Sequence, residues 1–171
     1  RGLNNHPSVK KDTRTRIISK ARELGYQHNT FASSLRKMRT QTIGLVIPRL
    51  DSYFQATVIS GIEKAANQHG YNLIISQSEE SMEKEVSCIS TMYSSRVDGL
   101  LFSLASDTDD LEHLEQFIRK GIPVVYFDRV FEHPDSINII IDNFKAGYEI
   151  TAHLIQQGCR RIMHLGGNLK R

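Results

Sequence analysis

From Thr42 onward the chain alternates short apolar runs with longer amphipathic stretches, and this texture predicts its elements. Strand-like runs lie at 42–48 (TIGLVIP), 71–76 (YNLIIS), 98–103 (DGLLFS), 122–128 (IPVVYFD), 137–141 (INIII) and 161–167 (RIMHLGG). Between them, helical spacing of apolar positions marks 53–70, 82–96, 109–121 and 143–158. Gly70, Gly121 and Gly158 each precede a strand, where a helix C-cap is expected. Strands that are almost wholly apolar and separated by helices imply a parallel sheet covered on both faces. The predicted body, 42–171, is therefore a doubly wound α/β domain whose ligands bind beyond the carboxyl ends of the strands.

Before Thr42 the pattern is purely helical. Asp12 or Thr13 can cap a helix with Ile17, Ile18, Ala21 and Leu24 on one face, and Gly25 stops it. A second, shorter helix is expected from Asn29 to about Met38, with Phe31, Leu35 and Met38 on one side. At roughly ten residues it falls below the 12–15 that hold a helix in water without packing. Charge sharpens the division. The whole chain carries +3, yet residues 1–42 hold ten Lys/Arg against Asp12 and Glu23, so the remainder is −5. A basic arm on an acidic body suits a polyanion, because phosphate contacts supply most nonspecific affinity for nucleic acid. No Gly/Ser/Pro linker separates this arm from the first strand.

Enzyme and metal signatures are missing. The sequence has no G-x-G-x-x-G after the first strand, no phosphate loop, no nucleophile elbow and no H-E-x-x-H. The acidic run at Ser106–Asp110 lacks the glycine and distal glutamate of a calcium loop and reads as a helix start. No cofactor and no metal are expected. Cys88 and Cys159 have no paired spacing and read as small core residues of a reducing, cytoplasmic compartment. No apolar run approaches the roughly 18 residues of a membrane span, so no membrane partner is expected. Polar residues at the strand ends form the candidate cleft: Tyr53 and Phe54 beyond the first strand, Ser103 after the third, Asp128 and Arg129 after the fourth, and Asp142 after the fifth. The missing signatures favour binding over catalysis by Asp128, Arg129 and Asp142, while simple helix capping remains open for each of these residues.

Several strings together resemble the LacI/GalR family of bacterial transcription regulators along the full chain: ELGYQHNTFASSL, RTQTIGLVIP, DSYF, RVDGLL, GIPVVYFDR, IIIDN and HLIQQGCRRIMHLGG. The resemblance implies a homodimeric (or higher-order) repressor, not an enzyme, that binds operator DNA and a small-molecule effector, most often a sugar or related metabolite. It implies three parts: 1–28 as the end of a truncated helix-turn-helix head, 29–41 as hinge helix and linker, and 42–171 as the N-terminal lobe of a periplasmic-binding-protein-like core whose second lobe is absent. By the same resemblance, Arg1 and Asn4 end the recognition helix, and Thr13 meets backbone phosphate. Asn29, Ala32 and Leu35 belong to the hinge helix, with Leu35 as an apolar wedge in the minor groove. Tyr53, Phe54, Ser103, Asp128, Arg129 and Asp142 face the effector. Ser33 and His28 stand where the family usually has Arg and Pro. Such a segment is expected to show neither tight operator binding nor full effector affinity. The alternative is a periplasmic-type sugar receptor, which shares the core fold but has no use for a basic head.

Overall fold

The computed structural model describes residues 9–26, 39–131 and 136–166. Helix α1 spans Lys11–Glu23, followed by β1 (Thr42–Ile47), α2 (Tyr53–Gln68), β2 (Asn72–Gln77), α3 (Met82–Ser94) and β3 (Gly99–Phe102). A 3₁₀ turn at Glu112–Leu114 leads into α4 (Glu115–Arg119), then β4 (Val124–Phe127), β5 (Ile137–Ile139) and α5 (Asn143–Gln156). The strands form one parallel sheet in the order β2-β1-β3-β4-β5. The chain runs from β1 out to β2, crosses back to β3 on the other side of β1 and continues outward to β4, so the connections after β1 and β3 run in opposite directions. That reversal opens a crevice at the carboxyl edge of the sheet, the expected position of a ligand in such folds.

Alternation along β1 builds the two layers of the core. Leu45 and Ile47 pack with Phe127 under Val58, Ile59 and Ile62 of α2. Val46 points the other way, into a larger cluster with Phe102, Tyr126, Met92, Ile89, Leu114 and Phe117. Gly44 lies on the Val46 side, where a Cβ would stand 2.9 Å from the Met92 sulfur. A side chain here would have to displace the Met92 and Leu100 side chains, so glycine lets α3 pack closely on β1. Leu45 and Ile47 on one face, and Val46, Leu100, Phe102 and Tyr126 on the other, are buried, with Phe127 joining the first group, so β1, β3 and β4 fulfil the expectation of a sheet covered on both faces.

The outer elements depart from that expectation. β5 is three residues rather than five, and α5 buries none of its residues. The sixth strand expected at 161–167 is not formed over its described residues 161–166, which pair with no neighbour among the described residues and leave Met163 and Leu165 exposed. Apolar composition favours a strand only where a free sheet edge and a covering face are both at hand. The helix expected over 109–121 is reduced to the 3₁₀ turn and the five residues of α4. Asp110 explains part of the difference, because its Oδ1 accepts from Glu112 N at 2.9 Å and sets a local turn that competes with an earlier helix start. Helix α1 begins before its expected caps: Lys10 is the N-cap and makes no side-chain cap bond, while Asp12 sits in the first turn. Cys159 is exposed rather than core, whereas Cys88 is half-buried with its thiol 3.4 Å from the Gln77 carbonyl. Among the described residues no helix is long and apolar enough to cross a membrane.

Candidate functional site

The carboxyl edge brings together the loops after β1, β2, β3 and β4. Ser78 N donates to Ile47 O (2.9 Å), Ser103 N to Val46 O (3.0 Å), Leu104 N to Arg129 O (3.2 Å) and Asp128 N to Ile139 O (3.3 Å), so the sheet ladder runs on into each loop. An open recess of about 430 Å³ lies on the β1/β2 side, lined by Arg49, Leu50, Asp51, Gln77, Glu79 and Glu80. Its rim is pinned by Leu50 N donating to Gln77 Oε1 (2.9 Å) and by a forked Arg49–Asp51 pair. That fork draws the Arg49 pKa up and the Asp51 pKa down.

Toward β3 and β4 the polar groups are more deeply placed. Ser103 is fully buried, and its hydroxyl meets no partner among the described residues. Gln55, one turn into α2 and on the same helix face as Val58, Ile59 and Ile62, donates from Nε2 to Asp128 Oδ2 at 3.3 Å while its buried Oε1 is unpaired. Asp128 holds a left-handed backbone, φ +61°. Burial pushes its carboxyl pKa up, with Arg129 pulling it down and Glu80 adding to the rise. Arg129 does not hold Asp128 by a salt bridge. Its guanidinium pairs with Glu80, which the Ser106 amide also approaches, 3.0 Å from Oε2. The Arg129 hydrogen bond is the first cause that draws the Glu80 pKa below the ordinary range.

The remaining expected residues are more superficial. Tyr53 is 90% exposed and Phe54 50%, both in the first turn of α2. Asp142 caps α5, its Oδ1 accepting from Lys145 N at 2.8 Å, so it has a structural task of its own. Thr13 is exposed on α1. Arg1, Asn4, Asn29, Ala32 and Leu35 lie outside the described residues.

Three residues escaped the sequence reading. Gln55 and Glu80 are two of them. Glu85 is the third: fully buried on α3, it accepts from Ala105 N (2.7 Å) and from Thr108 Oγ1 (3.0 Å to each oxygen), with His113 Nε2 3.0 Å away. It ties the loop after Ser103 to the helix behind it. Gln55 and Glu85 were detectable as polar residues in otherwise apolar helical stripes, Gln55-Ile59-Ile62-Ala66 and Glu85-Ile89-Met92.

The opposite edge shows how the linker enters the lobe. Both oxygens of Asp98 accept backbone amides 57 and 58 residues away: Thr40 N at 2.9 Å and Gln41 N at 2.8 Å. The Thr40 hydroxyl donates to Arg96 O at 2.8 Å. Gln41 and Arg96 both take left-handed backbones, φ +52° and +54°. The segment preceding β1 is thus clasped to the turn preceding β3.

A parallel sheet with a buried polar crevice at its carboxyl edge and a clasped N-terminal segment defines an α/β ligand-binding lobe. Residues 40–169 match the family described as periplasmic binding proteins and sugar binding domain of the LacI family, and the chain belongs to that family. It is 31% identical over 99% of its length to catabolite control protein A of Priestia megaterium, covering 51% of that protein. To the sucrose operon repressor of Staphylococcus xylosus it is 34% identical over 95% of its length, covering 49% of that protein. A LacI-family transcriptional regulator from Silicibacter pomeroyi superposes with a TM-score of 0.72 at 26% identity, over 94% of this chain and 48% of the other. The chain thus spans about half the length of the relatives it matches.

Proposed function

We propose that this chain is the linker and N-terminal effector lobe of a repressor-type regulator whose affinity for operator DNA is set by a small-molecule effector, a sugar or related metabolite. The observation that carries the reading is the Asp98 clasp. A receptor has no need to fix a basic N-terminal segment to its lobe, whereas a regulator must, since a loose joint would lose the signal. The names of its relatives, a catabolite control protein and a sucrose operon repressor, support a regulator and a carbohydrate-related effector. They support binding without chemistry and a cytoplasmic location.

In this reading 1–28 is the end of the DNA head, 29–41 the hinge and linker, and 42–171 the lobe. Arg1 and Asn4 read bases, Thr13 meets phosphate, and Asn29, Ala32 and Leu35 belong to the hinge helix, with Leu35 the wedge in the minor groove of a dimer's site. Ser103, Asp128 and Gln55 hold effector hydroxyls, with Tyr53 and Phe54 as a lid surface and Asp142 at the margin. Effector binding alters the lobe edges, and the clasp passes the change to the hinge.

The test is a gel shift on a regulator carrying a complete DNA head and both lobes, with a duplex selected from a random library. Leu35→Ala is expected to weaken specific binding about tenfold or more, a tenfold step being about 1.4 kcal/mol, without lowering the thermal midpoint of the lobe. Undiminished binding would overturn the wedge role. Failure of every selected duplex to bind would overturn the regulator reading.

A further inference from the structure

Four cations of the carboxyl edge among the described residues each face a carboxylate: Arg49 meets Asp51, Lys84 meets Glu79, Arg129 meets Glu80 and Lys145 meets Glu149. Three of these pairs are more than half exposed on both partners, where ion pairs are weak and open readily. Arg129 and Glu80 are different, with side chains 39% and 26% exposed. Glu80 is held a second time by the Ser106 amide, and it is delivered to this position by an unusual turn. Glu79 and Glu80 are consecutive non-glycine residues with left-handed backbones, φ +53° and +62°. Such conformations persist only where their surroundings enforce them, and they concentrate at ligand sites.

The groups left open beside this pair are of one kind. The buried Oε1 of Gln55, the buried hydroxyl of Ser103 and the carboxylate of Asp128 offer acceptors and a hydroxyl, and no cation. Two of them, Gln55 Oε1 and the Ser103 hydroxyl, belong to side chains at least nine-tenths buried and meet no partner among the described residues. A ligand bearing hydroxyl donors satisfies them. One bearing phosphate or carboxylate meets Asp128 and Glu80 before it reaches a guanidinium.

We propose that Glu80 is a specificity-determining residue: it occupies the Arg129 guanidinium from within the protein, closing this half of the cleft to anionic effectors and leaving it to neutral polyhydroxylated ones. The inference rests on reading this edge as the effector cleft. Glu80→Gln keeps the acceptor for Ser106 but removes the charge that competes for Arg129.

The test titrates the isotope-labelled chain with inorganic phosphate at constant ionic strength, following the amides of Ser106 and Arg129. Glu80→Gln is expected to bind phosphate at least about tenfold more tightly than the wild type, and Glu80→Gln with Arg129→Gln to return to wild-type behaviour. Glu80→Asp, one methylene shorter, uncovers Arg129 by a second route and is expected to move phosphate affinity in the same direction. Wild-type affinity within about twofold of the Glu80→Gln value would overturn the inference while leaving the effector-cleft reading intact. A gain that survives loss of Arg129 would overturn it as well. A gain in Glu80→Gln together with DNA binding that responds to no effector would support the role of Glu80 and sink the regulatory reading.

Discussion

Asp128 combines an exposed side chain whose carboxyl the fold still partly desolvates, a left-handed backbone and a single weak donor, Gln55 Nε2 at 3.3 Å. Because its folded pKa is raised, the folded state binds its proton more tightly than the unfolded chain does. Stability therefore falls as pH rises through the ordinary aspartate range, and the deficit is fully present above the folded pKa. Asp128→Asn is expected to raise the thermal midpoint at neutral pH, with the advantage fading below pH ~4, where the unfolded aspartate is protonated too. Glu80 works in the opposite sense: its lowered pKa adds stability above the ordinary glutamate range that is lost as pH falls through the folded value. A thermal midpoint for Asp128→Asn that tracks the wild type at every pH would refute the assignment. Glu85 makes a larger case. Glu85→Ala removes the acceptor shared by the Ala105 amide, the Thr108 hydroxyl and His113, and denaturant unfolding is expected to show a loss of about 3–5 kcal/mol, the cost of removing one partner from a buried polar network. The sequence displayed the strand-end residues Ser103, Asp128 and Arg129 but not what they touch. Partners such as Gln55 and Glu80 come from loops and helices that meet only once the sheet order is known.

Among elements, β1 was fully legible, since an apolar run bounded by Gln41 and Pro48 with no polar interruption has one stable place, the middle of a parallel sheet. Its entry was not. RVDG looked like a motif string, and nothing in it said that Asp98 would bridge to Thr40 and Gln41. Hydrogen bonds to a charged acceptor contribute roughly 1.5–3 kcal/mol each. Asp98→Ala is expected to cost about 2–4 kcal/mol in unfolding and to speed hydrogen exchange at the Thr40 and Gln41 amides well beyond that at Leu45. In the complete regulator it is expected to reduce the effector's influence on DNA binding while effector affinity stays within a few fold. Unchanged exchange at residues 40 and 41 would show that the clasp does not hold the linker. The 109–121 stretch failed for the converse reason: its periodicity was helical, but the Asx-type bond from Glu112 N to Asp110 sets a turn first, and the helix that follows is only α4.

For the molecule as a whole, the order of apolar runs and helices conveyed the architecture, because only a parallel, doubly wound sheet satisfies such strands with these crossovers. What it did not convey is asymmetry. The β2 edge is partly covered, while the β5/α5 flank presents Ile137, Ile139, Ile141, Phe144 and Tyr148 to solvent, Phe144 at 85% exposure. An apolar edge strand beside an uncovered helix is prone to association. Light scattering from this chain is expected to grow with concentration and to fall for Ile139→Lys with Phe144→Glu; indifference to both changes would place the sticky surface elsewhere. The left-handed residues have a consequence of another kind. Gln41 and Arg96 sit at the linker edge and Glu79, Glu80 and Asp128 at the cleft edge. Glycine at Gln41 or Glu79 would relax the backbone and raise thermal resistance, yet it would also free the joint or the turn. Variants of this chain selected by heat alone would thus drift toward lobes that survive better and hear less, whereas selection for response would keep the costlier residues.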